Sequence, residues 1–415
     1  MEHLAARHGG VTYAVDKKGT TIPVFTRDTR TAVAQSAFGQ FIDNPTWAIG
    51  YHFAFMGLCV LIVCLGVQGG IERASKILMP LLILLLIILI IRGVTLEGSA
   101  AGIRFFLSPD FSKLNAESVL LALGHAFFSL SLGMGAMITY GSYVGKEQNL
   151  FTSALSITAL DTLIALLAGL AIFPAVFAMG FDPSGGPGLV FHVLPTVFSE
   201  MRLSLLWATL FFLLLFVAAL TSGISLLEVV TAYFVDELKW SRKLASIVFG
   251  GVIFLLGCVC ALGVGDWDRI HGLKVILVTL FDQVPSNFLD VMTTLSDNWL
   301  LPLGGLFIAI FVGWVWGTRK ALDEIRHGSR NFGDVHVVSL LAGLKDDHSH
   351  NSPVHVLTLA SIWGFFIRFI SPVAVLIAFF HAIGWLDFGP AEKAKAPSPA
   401  TTVVSEEGPQ GDTGE

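Results

Sequence analysis

The chain has 415 residues, of which 54% are hydrophobic and 13% charged, with a formal net charge of -6 and a mean hydropathy of +0.74. That charge fraction is about half the soluble norm of roughly 25%. It excludes an ordinary soluble globule and, with several apolar runs of about twenty residues, points to an all-α polytopic membrane protein. The net charge says little here, because most charges sit in loops and tails, and no nucleic-acid patch appears.

Residues 1–46 are polar and glycine-bearing, with one short amphipathic piece at Ala32–Ile42. They read as a polar extracytoplasmic segment, a loop with a helical turn or two. No apolar h-region of a cleavable signal peptide stands in Met1–Asp43. Eight spanning segments then follow at about 47–69, 75–95, 119–144, 154–179, 205–234, 244–264, 290–317 and 366–386. Together they make a transmembrane domain over residues 47–387. Pro80 falls near the expected start of the second segment, where a proline is best tolerated. The four cysteines, Cys59, Cys64, Cys258 and Cys260, lie inside apolar segments and read as small core residues.

The third segment, VLLALGHAFFSLSLGMGAMITYGSYV, is built to fail as a continuous helix. At its centre Gly133 and Gly135 each cost about 1 kcal/mol relative to alanine in a helix, and Ser129 and Ser131 place hydroxyls just before them. Backbone freed at mid-membrane is tolerated only where it is buried in protein or lines a cavity. A break at the midplane is therefore a candidate site for a polar solute or ion. Packing of small residues between helices is the alternative.

Between the fourth and fifth segments runs FDPSGGPGLVFHVLPTVFSEM, a long loop with turn chemistry and an amphipathic piece, of a length typical of lids. A charged connector, TRKALDEIRHGSRNFGDVHVV, follows the seventh segment and leads into a stretch expected at the membrane interface. The end, residues 388–415, is rich in Pro, Ala, Thr, Glu and Gly and reads as a disordered tail. Twelve Lys and Arg lie in the loops and helix mouths after the odd-numbered segments and six after the even-numbered ones. The first set is expected to be cytoplasmic and both termini outside. The basic residues Arg7, Lys17, Lys18, Arg27 and Arg30 would then have to cross with no helix ahead of them. The expectation that follows is of helices missing upstream.

Charged groups inside the membrane cost several kcal/mol unless they are paired or used. Asp161, one or two turns into the fourth segment, can ligate a cation or hold a proton; a carboxylate favoured by the helix N-terminus is the alternative. In the fifth segment Thr221 and Ser222 offer hydroxyls to a hard cation, although such groups more often bond their own helix. Glu228 is expected to be wetted from the inner side, and His125 reads as a packing residue. Phe127 and Phe128 are most simply core. No phosphate loop, metal cluster or nucleophile elbow is present, so enzymatic chemistry has no foothold.

The pieces GGIERASKILMPLL, FFLSPDFSKL, HAFFSLSLGMGAMITYGSYV, ALTSGISLLEVVTAYFVDEL and WSRK, in that order, resemble the neurotransmitter:sodium symporter family of leucine-transporter fold. The resemblance runs from about Ala37 to Leu386. It implies an inverted-repeat helical bundle, of which this chain carries the family's fourth to eleventh helices, with segment 119–144 as the broken sixth. It further implies sodium-coupled symport of small, apolar or aromatic amino acids by alternating access, in the cell membrane, with two sodium ions. By resemblance, Phe128, Ser129, Ser131 and Met134 line the substrate pocket with Leu226. Ser129 and Asp161 fall at the first sodium site, and Ala218 through its carbonyl, Thr221 and Ser222 at the second. Asp290 falls near an extracellular gate carboxylate. Asp161 stands where many members have asparagine, so its fixed charge can replace the chloride some members need. His125 replaces a usual glutamine and Met134 a frequent aromatic. Two other readings stay open: a non-transporting fragment, or a membrane subunit complementing a separate chain that carries the first three helices.

Overall fold

The computed structural model describes residues 6–8, 11–15, 21–24, 40–41, 44–181, 183, 189–265, 288–328 and 359–386. Most of Ala32–Ile42, the connector beyond residue 328 and the tail lie outside them.

The polar N-terminal region differs from the loop expected of it. Three short antiparallel strands, β1 (Ala6–His8), β2 (Val11–Val15) and β3 (Thr21–Val24), form a sheet in the order β1-β2-β3. His8 pairs with Val11 and Val15 with Thr21. The signal was present in the sequence: the run Val11-Thr12-Tyr13-Ala14-Val15 is β-branched and aromatic, and Gly9-Gly10 precedes it, a hairpin dipeptide.

The rest of the described chain is helical: α1 (Pro45–Cys64), α2 (Val67–Val94), α3 (Ser99–Leu107), α4 (Ala116–Ser129), α5 (Ala136–Tyr143), α6 (Leu150–Ala178), α7 (Leu194–Glu200), α8 (Ser204–Asp236), α9 (Arg242–Gly265), α10 (Phe288–Thr293), α11 (Leu301–Ile310), α12 (Thr318–Gly328), α13 (Leu359–Phe365) and α14 (Ser371–Ala382). Among the described residues, seven continuous helical runs are long and apolar enough to span a bilayer, α10 to α12 being one run and α13 to α14 another. The expected eighth is the interrupted pair α4–α5. Asparagine side chains cap three of these helices. Asn44, Asn115 and Asn149 each accept a hydrogen bond from a first-turn amide, that of Thr46, Ser118 and Thr152 respectively.

α2 begins earlier than its hydropathy suggests. A π-turn at Val67–Ile71 follows Gly66, whose φ is 88°. Gly70 sits where a Cβ would lie 2.0 Å from the Ile62 carbonyl oxygen, so the two helices join in a tight backbone contact. Pro80 is consequently in the interior of α2, not near its start. The long loop after α6 is also not a loose lid over residues 189–200. A π-turn at Leu189–Val193 leads into α7, whose Leu194, Val197 and Phe198 are buried with Leu86 and Leu89 of α2, Val176 of α6 and Phe211 of α8. Between spanning helices such contacts are held by close packing, since lipid is as apolar as the core.

α8 is the central mast. Its N-terminal half joins that cluster. Its C-terminal half packs Leu220, Ile224 and Leu227 against Cys59 and Val63 of α1. The four cysteines are free; Cys59 is a buried core residue as expected, whereas Cys64, Cys258 and Cys260 are only partly buried.

Candidate functional site

The helix that begins at Ala116 stops at Ser129, and the next does not start until Ala136. Local backbone chemistry explains the stop. The Ser131 amide donates to the Phe128 carbonyl (3.1 Å) and the Leu132 amide to the Phe127 carbonyl (2.9 Å). This is the hydrogen-bond pattern of a Schellman cap. The cap residue in left-handed conformation is Ser131, with φ 54°, where glycine is usual. Such a conformation costs a non-glycine residue roughly 1–2 kcal/mol. Gly133 and Gly135 follow with φ 85° and 83°, and Gly135 is the N-cap of α5. Among the described residues, the carbonyls of Leu132, Gly133 and Met134 and the amides of Ala136, Met137 and Ile138 have no backbone partner. The break thus presents the partly negative end of α4, the partly positive end of α5 and free carbonyls within a few residues.

The expected site residues are distributed around it. The Ser129 hydroxyl donates to Asp161 Oδ2 at 2.9 Å, joining the end of α4 to α6. Asp161 lies about three turns past Leu150, because α6 starts before the hydropathy run does. A dipole effect confined to the first turn therefore does not account for it. On α8, the Thr221 hydroxyl donates to the Ala218 carbonyl at 2.8 Å, an intrahelical bond, and Ser222 is exposed. The Ser225 hydroxyl donates to the Thr221 carbonyl (3.0 Å), and Tyr140 of α5 donates to Ser225 (2.8 Å). Met134 is half-buried, while Phe128 and Leu226 are 54% and 48% exposed.

Two cavities flank the break. One of about 570 Å³ is lined by Gly124, His125 and Phe128 of α4, by Asp297, Asn298 and Pro302, and by His381 of α14. His125 is exposed there and not packed away as its sequence context suggested. Asp290, expected near a gate, is not among the residues lining this cavity; Asp297, seven residues later, is. The second cavity, about 210 Å³ and almost wholly apolar, lies on the other flank. Ser131, Gly133 and Gly135 face Gly305 of α11 and Ser371 of α14 there.

One constellation was missed. Glu228 of α8 is fully buried, against the expectation that it would be wet. Its carboxylate accepts two bonds from the Arg242 guanidinium, at 2.7 and 2.9 Å, and one from the Tyr143 hydroxyl at 2.5 Å. The signal was there to use. A buried acid in a membrane helix requires a cation, and the first cations after it in the sequence, Lys239, Arg242 and Lys243, cluster at the turn into α9.

A bundle of membrane-spanning helices, one of them broken at its middle beside a part-buried serine–carboxylate pair, defines a membrane transporter built around a mid-bilayer site. The comparisons give the family. The model of the sodium:neurotransmitter symporter family matches residues 40–332. The uncharacterized sodium-dependent transporter YhdH of Bacillus subtilis (strain 168) is 38% identical over 351 residues, covering 85% of this chain and 70% of that one. An uncharacterized sodium-dependent transporter of Haemophilus influenzae is 36% identical over 372 residues, 89% and 73% of the two chains. The crystal structure of MhsT in complex with L-phenylalanine is similar at a TM-score of 0.66 and 43% identity, over 84% of this chain and 71% of that one. The chain therefore belongs to the sodium:neurotransmitter symporter family, a family of sodium-coupled transporters and not of enzymes.

Proposed function

We propose that the protein carries small apolar or aromatic amino acids across the cell membrane together with sodium, by alternating access around the break between α4 and α5. The observation that carries this reading is the Ser129–Asp161 hydrogen bond of 2.9 Å at the end of α4. It joins a hydroxyl and a carboxylate, hard oxygen donors suited to a hard cation, beside carbonyls that lack backbone partners. A zwitterionic amino acid suits the same place. Its ammonium is matched by the α4 carbonyl end and its carboxylate by the free amides that open α5. Ser131 and Met134 of the break, with Phe128 and Leu226, enclose its side chain. The apolar character of the last three favours an apolar or aromatic substrate, and the phenylalanine bound in the MhsT structure agrees.

A second sodium is assigned to Ala218, Thr221 and Ser222 of α8. There the Thr221 hydroxyl and Ala218 carbonyl already lie 2.8 Å apart, and a cation would replace their mutual bond by two ligations. Asp290 keeps its assignment as a gate residue on the outer side. Each charge entering down 100 mV supplies about 2.3 kcal/mol, so two ions sustain a steep substrate gradient.

The test is uptake of labelled amino acids by purified protein in lipid vesicles under an inward sodium gradient. Uptake that vanishes when potassium replaces sodium supports the reading; uptake indifferent to sodium overturns it. The exposure of Phe128 and Leu226 favours a second reading, in which this chain is one part of a two-part transporter completed by a neighbouring segment or separate chain. Uptake would then appear only on co-expression with a chain supplying three further helices. A fragment inactive under both conditions would be non-transporting.

A further inference from the structure

Backbone that leaves a helix at mid-membrane has to be buried in protein or line a cavity, and the element packed against it here is α11. A Cβ built on Gly133 would lie 2.4 Å from the Leu301 carbonyl oxygen and 2.9 Å from the Gly305 amide nitrogen. A Cβ on Gly304 would lie 2.3 Å from the Gly133 carbonyl oxygen and 3.3 Å from its Cα. A Cβ on Gly305 would lie 2.3 Å from the ring of Phe127, the residue whose carbonyl receives the Leu132 amide of the cap. Break and helix therefore meet backbone to backbone, with no side chain between them. This is not a general property of the chain's glycines: nothing lies within 4 Å of a Cβ built on Gly141 or Gly251.

We infer that Gly304 and Gly305 of α11 are positioning residues for the substrate site: their missing side chains fix where the break sits, and so where Ser131 and Met134 stand. The inference rests on the proposed role of the break in holding substrate. The physical chain is short. Gly133 is held in left-handed conformation and pressed on α11, two residues after Ser131 and one before Met134. A methyl group on Gly304 meets a backbone oxygen, which cannot move without carrying the whole break with it. A methyl on Gly305 meets only the far end of a side chain, which can be trimmed.

That asymmetry gives the experiment. The full chain is prepared as Gly304→Ala, Gly305→Ala, Gly305→Ala with Phe127→Leu, Gly304→Ala with Phe127→Leu, and Gly251→Ala as the control. Hydrogen exchange of peptides covering residues 130–136 is measured by mass spectrometry, and sodium-driven uptake is measured across a phenylalanine, leucine and alanine series. Gly304→Ala is expected to raise the substrate KM by about 10- to 100-fold, the scale for misplacing a binding group by an ångström, with a smaller change in Vmax. It is also expected to speed exchange of the break. Phe127→Leu is expected to restore Gly305→Ala but not Gly304→Ala. A Gly304→Ala protein that melts like the control, exchanges like the wild type and keeps its KM overturns the inference. If Gly304→Ala does not fold, failure of Phe127→Leu to restore Gly305→Ala overturns it instead. Absence of sodium-driven uptake in the unsubstituted protein defeats the transport reading, and the exchange measurement then decides the clamp by itself.

Discussion

Replacing Arg242 by methionine should unfold this protein more easily than any exposed charge deletion. Glu228 has no solvent exposure and Arg242 a side-chain exposure of 22%. The carboxylate takes three bonds, two from Arg242 and one from Tyr143. Removing the guanidinium leaves a buried anion with a single phenol donor. Breaking a buried pair from one side costs about 3–5 kcal/mol, because the remaining charge is uncompensated. Replacing both Glu228 and Arg242 by methionine removes that charge too, and analogous replacements range from neutral to a gain of about 1–4 kcal/mol. The double variant should therefore recover most of what the single one loses. The Glu72–Lys76 pair on α2 is the control: it is as short, at 2.6 Å, but its side chains are 48% and 72% exposed. Lys76→Met should be indistinguishable from wild type, since solvent already screens that pair. The assay is reversible unfolding in mixed micelles, followed by far-ultraviolet circular dichroism. Equal losses for Arg242→Met and Lys76→Met, or no recovery in the double variant, would refute the argument from burial.

Other consequences follow from the same structure. Asp161→Ala should abolish sodium-driven uptake or make it respond to chloride; transport that is unchanged and indifferent to chloride would remove Asp161 from the mechanism. Ser131→Gly relieves a left-handed residue with φ 54° and should stabilise the fold by about 1 kcal/mol while weakening substrate binding; parallel melting and binding measurements check both signs. In α3, a Cβ on Gly102 would lie 2.4 Å from the Phe173 carbonyl oxygen. Gly102→Ala should thus cost about 1–3 kcal/mol by overpacking. Gly251→Ala, in open space on α9, should instead gain about 0.5–1 kcal/mol, as alanine does over glycine in a helix. Unfolding midpoints of the two separate the cases.

Composition and the order of residues settle what is local. The apolar runs require spanning helices, and Gly133 and Gly135 after two serines mark where one of them fails. Asn44, Asn115 and Asn149, which cap others in the structure, are local signals of the same kind. These features are legible because a helix registers the propensity of a few adjacent residues, and a bilayer admits no other way to satisfy the backbone. The long motifs that name the family are of the same kind, written in consecutive residues. The β-hairpin residues at Val11–Val15 were equally local and were simply read as loop.

Contacts between residues far apart in the chain were not legible. The family resemblance implies one sodium site for Ser129 and Asp161, 32 positions apart, but residue order by itself gives no hydrogen bond between them and does not bring Tyr143 to Glu228, 85 positions on. Nor does it say that Gly304 covers Gly133. Asp297 stands in the same helical run as Asp290, and only the packing of that run beside α4 and α14 puts one of them in the cavity with His125. Such pairings depend on how whole helices rotate and cross. The long spanning helices here carry apolar residues on nearly all sides, since lipid and core are equally greasy. The periodicity that would reveal a buried face in a soluble protein is therefore missing, and the facing of each helix is set by close backbone contact and a few polar bonds that exist only once the bundle has formed.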